Sequence, residues 1–510
     1  MERVRLAELC TAISLFTDLG TGQPAEHAMR TTLTAMRLAD MVGLVPEARP
    51  ELYYTTLLRF FGCTADAAAT ASAVGGDEAD FYGAMAPVAM GSTREQLRTM
   101  TRAVAPGASR PTRARRLVAM MTDRKGAERT LLPHCEVGAR LAGRMDLPDG
   151  VAAALGAAYA RWDGNGVPAG LAGDDIPRTL RIAIVARDIV LWSDQDGADV
   201  AAVLADRRGR SLDPTVVDAA LANLGALVDP APDDLWDEAV DAEPAPQRVL
   251  TGDALDNALT ALADFADIKI DETARHSREV AALAADAARL CGVGDEQVEQ
   301  IRRAALVHDV GRVGVPNTIW SHVGPLTAGQ WEKVRLHPYY GERILVRTAG
   351  LGTIARLASC DHERGDGTGY HRGRGDDLGA AERVLAAADA YQAMSQPRPH
   401  RARLPSEAIV TELRAEVDAG RLARREVDAI LAAAEGGTAP LETRRPADLT
   451  EREVDVLRLI ARGRTNKQAA SHLGISPKTV STHVEHIYAK AGVTTRAAAT
   501  LFAIEHDLLD

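Results

Sequence analysis

Aromatic residues are scarce. Phe, Trp and Tyr together fill 4% of 510 positions, while alanine dominates the apolar set. Alanine is the best helix former, so this lack points to an all-α fold. Cysteine is also sparse. Cys10, Cys63, Cys135, Cys291 and Cys360 are scattered, odd in number and without CxxC spacing. That argues against a disulfide framework and for reduced thiols in a cytosol. There is no apolar run near 18 residues and no signal peptide, so no membrane span is expected and the location expected is cytoplasmic. Positive charge is not in excess: 59 Lys and Arg face 71 Asp and Glu, a net charge of -12. This excludes a protein that coats nucleic acid, but leaves room for a small DNA-binding domain at one end.

What is present divides the chain. Its length exceeds one core, so three or four domains are expected. Asp229–Gln247, rich in Pro, Asp and Glu, reads as a linker, and so does Glu435–Asp448 with its Gly-Gly and two prolines. The expected pieces are therefore 1–228, 248–434 and 449–510, with linkers at 229–247 and 435–448.

The first two pieces repeat each other. At an offset of 249, His27, Gly43 and Gly62 fall on His276, Gly292 and Gly311. At an offset of 203, His134 and Gly138 fall on His337 and Gly341, and Asp163-Gly-Asn-Gly166 falls on Asp366-Gly-Thr-Gly369. Two ungapped registers sharing His, Gly and Asp-Gly-x-Gly indicate a duplicated unit, with about 46 extra residues between Gly62 and His134 in the first copy. Val280, Leu283, Ala284, Ala287 and Leu290 follow helical spacing with Gly292 as a stop, so each copy reads as a helical bundle.

The second copy carries many donor side chains: Glu272, His276, His308, Asp309, His337, Asp361, His362 and Asp389. Glu272 and His276 are four apart and would share one helix face. Imidazole mixed with carboxylate suits Fe, Mn or Zn rather than Mg or Ca, and this many donors could hold two or more divalent ions. Such a pair can hold a phosphodiester and lower the pKa of a water.

The ordered set His276, His308-Asp309-Val-Gly-Arg312, His337-Pro338, Asp361-His-Glu-Arg-Gly-Asp-Gly-Thr-Gly-Tyr370, Ala388-Asp389 and Arg398-Pro-His-Arg401 resembles the HD-GYP family over about 270–402. That resemblance implies an all-helical metal-dependent phosphohydrolase acting on cyclic di-GMP or another phosphoester. It implies the eight donors as ligands, Asp309 as the bridge between metals, and Arg312 near the scissile phosphate. It also implies a substrate loop with Asp366, Gly367, Gly369, Tyr370, Arg398 and Arg401. Three positions depart from the family pattern. Asp361-His362 replaces a His pair, Arg312 replaces a lysine and His371 replaces a proline. Arginine keeps the charge but presents a planar fork. These departures leave a second reading open, a non-catalytic metal- or nucleotide-binding sensor that controls DNA affinity.

The first copy lacks the ligands. Arg59 and Phe60 stand opposite His308 and Asp309, Ala158 and Tyr159 opposite Asp361 and His362, and Arg187 opposite Asp389. With only His27 and His134 left, this copy is expected to keep the fold and lose the metal, serving as a sensor or a packing partner.

Residues 449–510 form a different kind of segment. Thr450 and Glu453 make a capping box, Val454, Leu457, Ile460 and Ala461 an apolar face, and Gly463 a stop. Asn466–Leu473, a turn at Gly474, and a helix begun by Ser476-Pro477 complete a helix-turn-helix. Val480, Val484 and Ile487 point inward on the last of these, and Ser481, Thr482 and Glu485 outward. The segment resembles the LuxR-type C-terminal domain through Leu-Thr-x-Arg-Glu, Asn466-Lys-Gln-Ala469, Ser476-Pro-Lys-Thr-Val480, His483 and Ile487-Tyr-x-Lys490. It implies a four-helix reader of double-stranded DNA whose final helix, Arg496 to Leu508, serves a homodimer. The DNA-facing residues expected are Asn466, Lys467, Lys478, Thr479, Ser481, Thr482, Glu485 and Lys490. The segment is nearly neutral, with eight Lys and Arg against seven Asp and Glu. Non-specific DNA affinity should therefore be weak and salt dependent.

Overall fold

The computed structural model describes residues 2–88, 93–123, 126–228, 234–373, 375–399, 401–436, 446–506 and 508–509. The fold is all-α. Among the described residues the only named strands are Val4–Arg5 and Val249–Leu250, which pair antiparallel. No described helix is long and apolar enough to cross a membrane. The chain divides into two compact units. One is built chiefly on Arg3–Ala254, the other on Leu255–Val315 and Ile319–Asp510.

In the first unit, helix His27–Met41 packs against Arg178–Ser193 and Arg49–Leu58. Ala35, Leu38, Leu52, Ile182, Val185 and Ile189 are fully buried in the core between them. The extra segment between Gly62 and His134 forms the helices Ala67–Val74, Glu78–Met85, Thr93–Ala103 and Arg110–Thr122. In the second unit, helix His276–Leu290 packs against Asp295–Val307, Ala380–Ser395 and Arg424–Glu435. Its apolar stripe is buried at Val280, Leu283, Ala284 and Ala287, but Leu290 is 61% exposed. Leu290 is the last residue of the helix, where the stripe has already run past its packing partners.

The duplication is visible in backbone detail. The helices beginning at His27 and His276 are each 15 residues long. Each follows a residue in the left-handed region, Glu26 at φ 71° and Arg275 at φ 75°. Asp18 and Asp267 accept from the first-turn N–H groups of Ala28 (3.3 Å) and Ser277 (2.8 Å). Gly62 and Gly311 are required by close approach. A Cβ on Gly62 would lie 2.0 Å from the carbonyl oxygen of His134, and one on Gly311 1.9 Å from that of His337. This contact brings the loop carrying residues 308–311 against the N-terminus of the helix that begins at His337.

Two expectations need correction. The stretch 229–247 is not a plain linker. Residues 229–233 lie outside the described set, but Leu235–Asp241 is a helix. Its Leu235, Trp236, Ala239 and Val240 are buried. Tyr53 Oη donates to the Ala239 carbonyl at 2.8 Å, and Tyr54 Oη to Glu243 at 2.5 Å. One short apolar face was hidden among acids and prolines, and the first unit extends to Ala254 rather than 228. Glu272 does not share a helix with His276. It sits in the 3-10 turn Asp271–Thr273, and the left-handed Arg275 separates the two. Of the second expected linker, 437–445 lies outside the described residues, while Glu435 ends a helix and Pro446–Asp448 is a 3-10 turn.

Candidate metal centre

The second unit gathers its donors in two groups, His276 with His308 and Asp309, and His337 with Asp361 and His362. Within each group the ligand atoms lie within 4.8 Å of one another. Asp309 faces both. Its Oδ2 lies 3.2 Å from His308 Nε2 and 3.5 Å from His276 Nε2, and its Oδ1 lies 3.4 Å from His337 Nε2. Asp389 also lies between them, 3.1 Å from His276 Nε2 and 3.5 Å from His362 Nδ1.

The imidazoles are held from behind. His308 Nδ1 donates to the Ala305 carbonyl and His337 Nδ1 to the Val334 carbonyl, both at 2.7 Å. His276 Nδ1 donates to Gln396 Oε1 at 2.9 Å, and Gln396 Nε2 donates to Glu279 at 2.6 Å. Pinning Nδ1–H aims Nε2 inward, the arrangement that prepares histidine for a metal. Several inward atoms have no hydrogen-bond partner: His308 Nε2, His337 Nε2, Asp309 Oδ1 and both carboxylate oxygens of Asp361. Buried polar atoms are rarely left so. The donor set therefore fits divalent cations on its chemistry and on its orphaned atoms.

Electrostatics agree. Burial opposes a charge on His308, yet Asp309 and Asp389 hold its pKa well above the usual value. Burial raises Asp267 to about 7, with help from the nearby Asp309 charge. Asp309, Asp361 and Asp389 are all buried here. Arg312 pairs with one of them, 2.6 Å from Asp309 Oδ2.

The C-terminal domain is built from Glu451–Ala461, Asn466–Leu473, Pro477–Ala491 and Arg496–Glu505. Its capping box is present, with Thr450 accepting from Glu453 N–H. Gly474 turns in the left-handed region at φ 66°. On Pro477–Ala491, Val480 and Ile487 are fully buried, and Val484 is partly buried against the same core. Lys467, Lys478, Thr479, Thr482 and Glu485 are exposed.

Residues 260–422 match the HD domain family, and residues 447–503 match the luxR family of bacterial regulatory proteins. The chain is 29% identical to the 3'3'-cGAMP-specific phosphodiesterase 3 of Vibrio cholerae, over 78% of this chain and 88% of the relative. The chain carries an HD domain and a luxR-family C-terminal domain. A cyclic di-GMP phosphodiesterase of Thermotoga maritima is 34% identical over 33% of the chain and 45% of its own length. The solved cyclic GMP-AMP specific phosphodiesterase V-cGAP3 of V. cholerae aligns with a TM-score of 0.57 at 24% identity, covering 86% of this chain and 99% of that one.

Seven of the eight expected ligands of the HD domain come together. Glu272 is partly buried in its turn and belongs to neither donor group. Around them, Tyr370 stacks on His362 with ring centres 4.2 Å apart. Burial of Arg398, and then the neighbouring Arg312 charge, hold its pKa down to about 10. Asp366 is exposed and accepts from Thr368 N–H at 3.0 Å, so it shapes the loop. Gly367 occupies the left-handed region at φ 78°. A Cβ on Gly369 would come 2.7 Å from Glu363 Cα. Arg401 is not free for substrate, because its guanidinium donates to the carbonyls of Ala393, Met394 and Gln396. His400 lies outside the described residues.

Sequence reasoning missed Gln396, Asp267 and Trp320. Trp320 lies edge-on to His337 at 6.0 Å and under the Arg312 guanidinium at 5.3 Å. Asp267 had a signal, since Asp18 matches it at the 249 offset. Gln396→Leu should release His276 and weaken metal binding by about 10- to 100-fold, the range for such supporting residues. A chelator competition titration checks this, and unchanged affinity would refute the orienting role.

Two residues of the luxR-family domain also need correction. Lys490 Nζ is committed to Glu453 at 2.7 Å and the Asp448 carbonyl at 3.1 Å, so it ties two helices rather than reaching for phosphate. Asn466 Nδ2 donates to Ser481 Oγ at 3.1 Å, which fixes the angle between the two motif helices. Burial would raise the Glu453 pKa, but Lys490 and Thr450 outweigh it and bring it to about 2, against the usual 4.5. A depressed carboxylate contributes stability above its unfolded pKa and loses it as pH falls through the folded value. Wild type should therefore exceed Glu453→Gln by up to about 3 kcal/mol near pH 6. The gap should narrow as pH falls from 4.5 towards 2. Denaturant melts of both proteins across that range check it, and a gap that widens in acid would contradict it.

Proposed function

We propose that the HD domain hydrolyses a phosphodiester of the cyclic dinucleotide class, and that the luxR-family domain binds double-stranded DNA, making the protein a cytoplasmic transcriptional regulator. The observation that carries the enzymatic part is Asp309, buried between two histidine groups with Oδ1 lacking a hydrogen-bond partner and Oδ2 met by Arg312 at 2.6 Å. His276, His308, Asp309, Asp389, His337, Asp361 and His362 would hold two divalent ions, Fe or Mn, with Zn compatible. Bound there, such ions supply Lewis acidity and let water attack a phosphodiester at neutral pH. Arg312 and Arg398 would balance the substrate's phosphate, and the stacked Tyr370 and His362 rings offer a flat wall for a base. The named activities of the V. cholerae and T. maritima relatives support this class. The test is turnover of 3',3'-cGAMP, cyclic di-GMP and bis(p-nitrophenyl) phosphate with Mn or Fe added. No hydrolysis above an Asp309→Ala control would refute it.

A second reading, a metal sensor that sets DNA affinity, has its own support. From His276 the hydrogen bonds run through Gln396 to Glu279, and Glu279 feels the charge of Arg462 in the C-terminal domain. Under this reading, chelator shifts the DNA affinity of the full chain without any turnover. A homodimer would serve a two-fold operator. The final helix is buried from Ala498 to Ile504, so dimerising through it requires uncovering it first.

A further inference from the structure

The first copy has not simply lost its metal site, because the charge there has changed sign. Where the HD domain places His308, Asp309 and Asp389, this copy places Arg59, Phe60 and Arg187. Both guanidiniums flank the Phe60 ring, at 5.3 Å for Arg59 and 5.8 Å for Arg187. Arg59 spends Nε and Nη2 on the Ala158 carbonyl, at 3.2 and 2.8 Å, and leaves Nη1 buried without a partner. Arg187 donates to the Ala86 carbonyl at 3.0 Å and leaves Nε without one. His27 is 2% exposed and neither ring nitrogen has a partner. Burial, then the Arg187, Arg30 and Arg59 charges, push its pKa down to about 3, so it is neutral and can donate one N–H.

Acids nearby do not balance these cations. Asp188 lies 3.5 Å from Arg187 but is held more closely by Arg207, at 2.5 Å. Asp66 is taken by His134, Tyr82 and Thr70. Asp18 caps the helix that His27 begins. Two half-buried guanidiniums, each with one buried donor unused, beside a buried, unpartnered imidazole are costly unless an anion joins them.

We infer that the first copy binds a phosphate group, free or carried on a nucleotide, between Arg59, Arg187 and His27, without metal and without turnover. Guanidinium forks match phosphate oxygens, and here they take the gripping role that cations have in the second copy. The site goes beyond the hydrolase reading and does not depend on it.

The test is equilibrium dialysis of the full chain in excess EDTA against 3',3'-cGAMP, 5'-GMP and inorganic phosphate. Binding of at least one is expected. Inorganic phosphate alone would mark a simple oxyanion site, and the nucleotides alone a nucleotide site. Arg59→Gln and Arg187→Gln should each weaken it at least 10-fold while the unfolding midpoint stays near wild type. Asp309→Ala should leave it unchanged, which separates this site from the HD centre. If the arginine variants do not fold, Phe60→Asp decides, since it sets a carboxylate between the two guanidiniums and should abolish binding. No binding by wild type, binding that survives these substitutions, or binding lost in Asp309→Ala overturns the inference.

Discussion

Asp309→Ala should lose at least one of two bound ions and cut phosphodiester hydrolysis by about 1000-fold, since a metal's contribution to such a reaction is several kcal/mol. The reason is position. Asp309 turns its two oxygens to different histidine groups, Oδ2 towards His276 and His308 and Oδ1 towards His337, and Asp389 on the other side does the same towards His276 and His362. Asp361 lies beside His337 and His362, at 3.8 and 3.4 Å. Asp361→Ala should therefore remove one ion and spare the other. Elemental analysis of the two variants beside wild type reads the difference directly. Equal metal in all three would end the claim that these side chains form one centre. Arg312 loses its partner in Asp309→Ala, so a thermal melt belongs beside the metal assay to show that the fold persists.

The second large effect concerns DNA. Truncation after Asp448 should abolish a mobility shift given by the full chain, because every expected base-reading side chain lies beyond that point. Thr482 and Glu485 are exposed on the helix Pro477–Ala491, where their side chains can meet base edges. Lys478, also exposed at its first turn, suits a phosphate. Lys478→Ala should weaken binding alike on all sequences and reduce the salt slope by about 1. Glu485→Ala should instead relax specificity at one base position. Lys490→Ala should act through stability, because its ammonium is already bound to Glu453. A truncated chain that still binds DNA would place the reader elsewhere.

Much of this was legible in the residues. The helix-turn-helix needed only local rules, caps at Thr450 and Ser476 and a glycine turn at Gly474, and the structure follows them. The duplication was legible because glycines at close contacts cannot change without moving backbone. Gly62 and Gly311 each meet a histidine carbonyl. The helix Leu235–Asp241 was not legible, since its apolar face is too short to stand out from acidic neighbours. Glu272 was misread because a left-handed residue, Arg275, interrupts the spacing that a continuous helix would have kept.

Order and spacing along the chain were enough to pick out the seven donors that meet among the eight expected, the two copies and the helix-turn-helix segment, since each follows from local backbone rules or repeated pattern. Only the folded chain could decide which donors meet, that Asp309 stands between two groups, that Gln396 steadies His276, and that Lys490 is already taken. Those are contacts between residues far apart in the chain, such as His276 and Gln396, set by how helices pack. No spacing rule reaches across such a gap, because the distance between two side chains there depends on every packed layer between them.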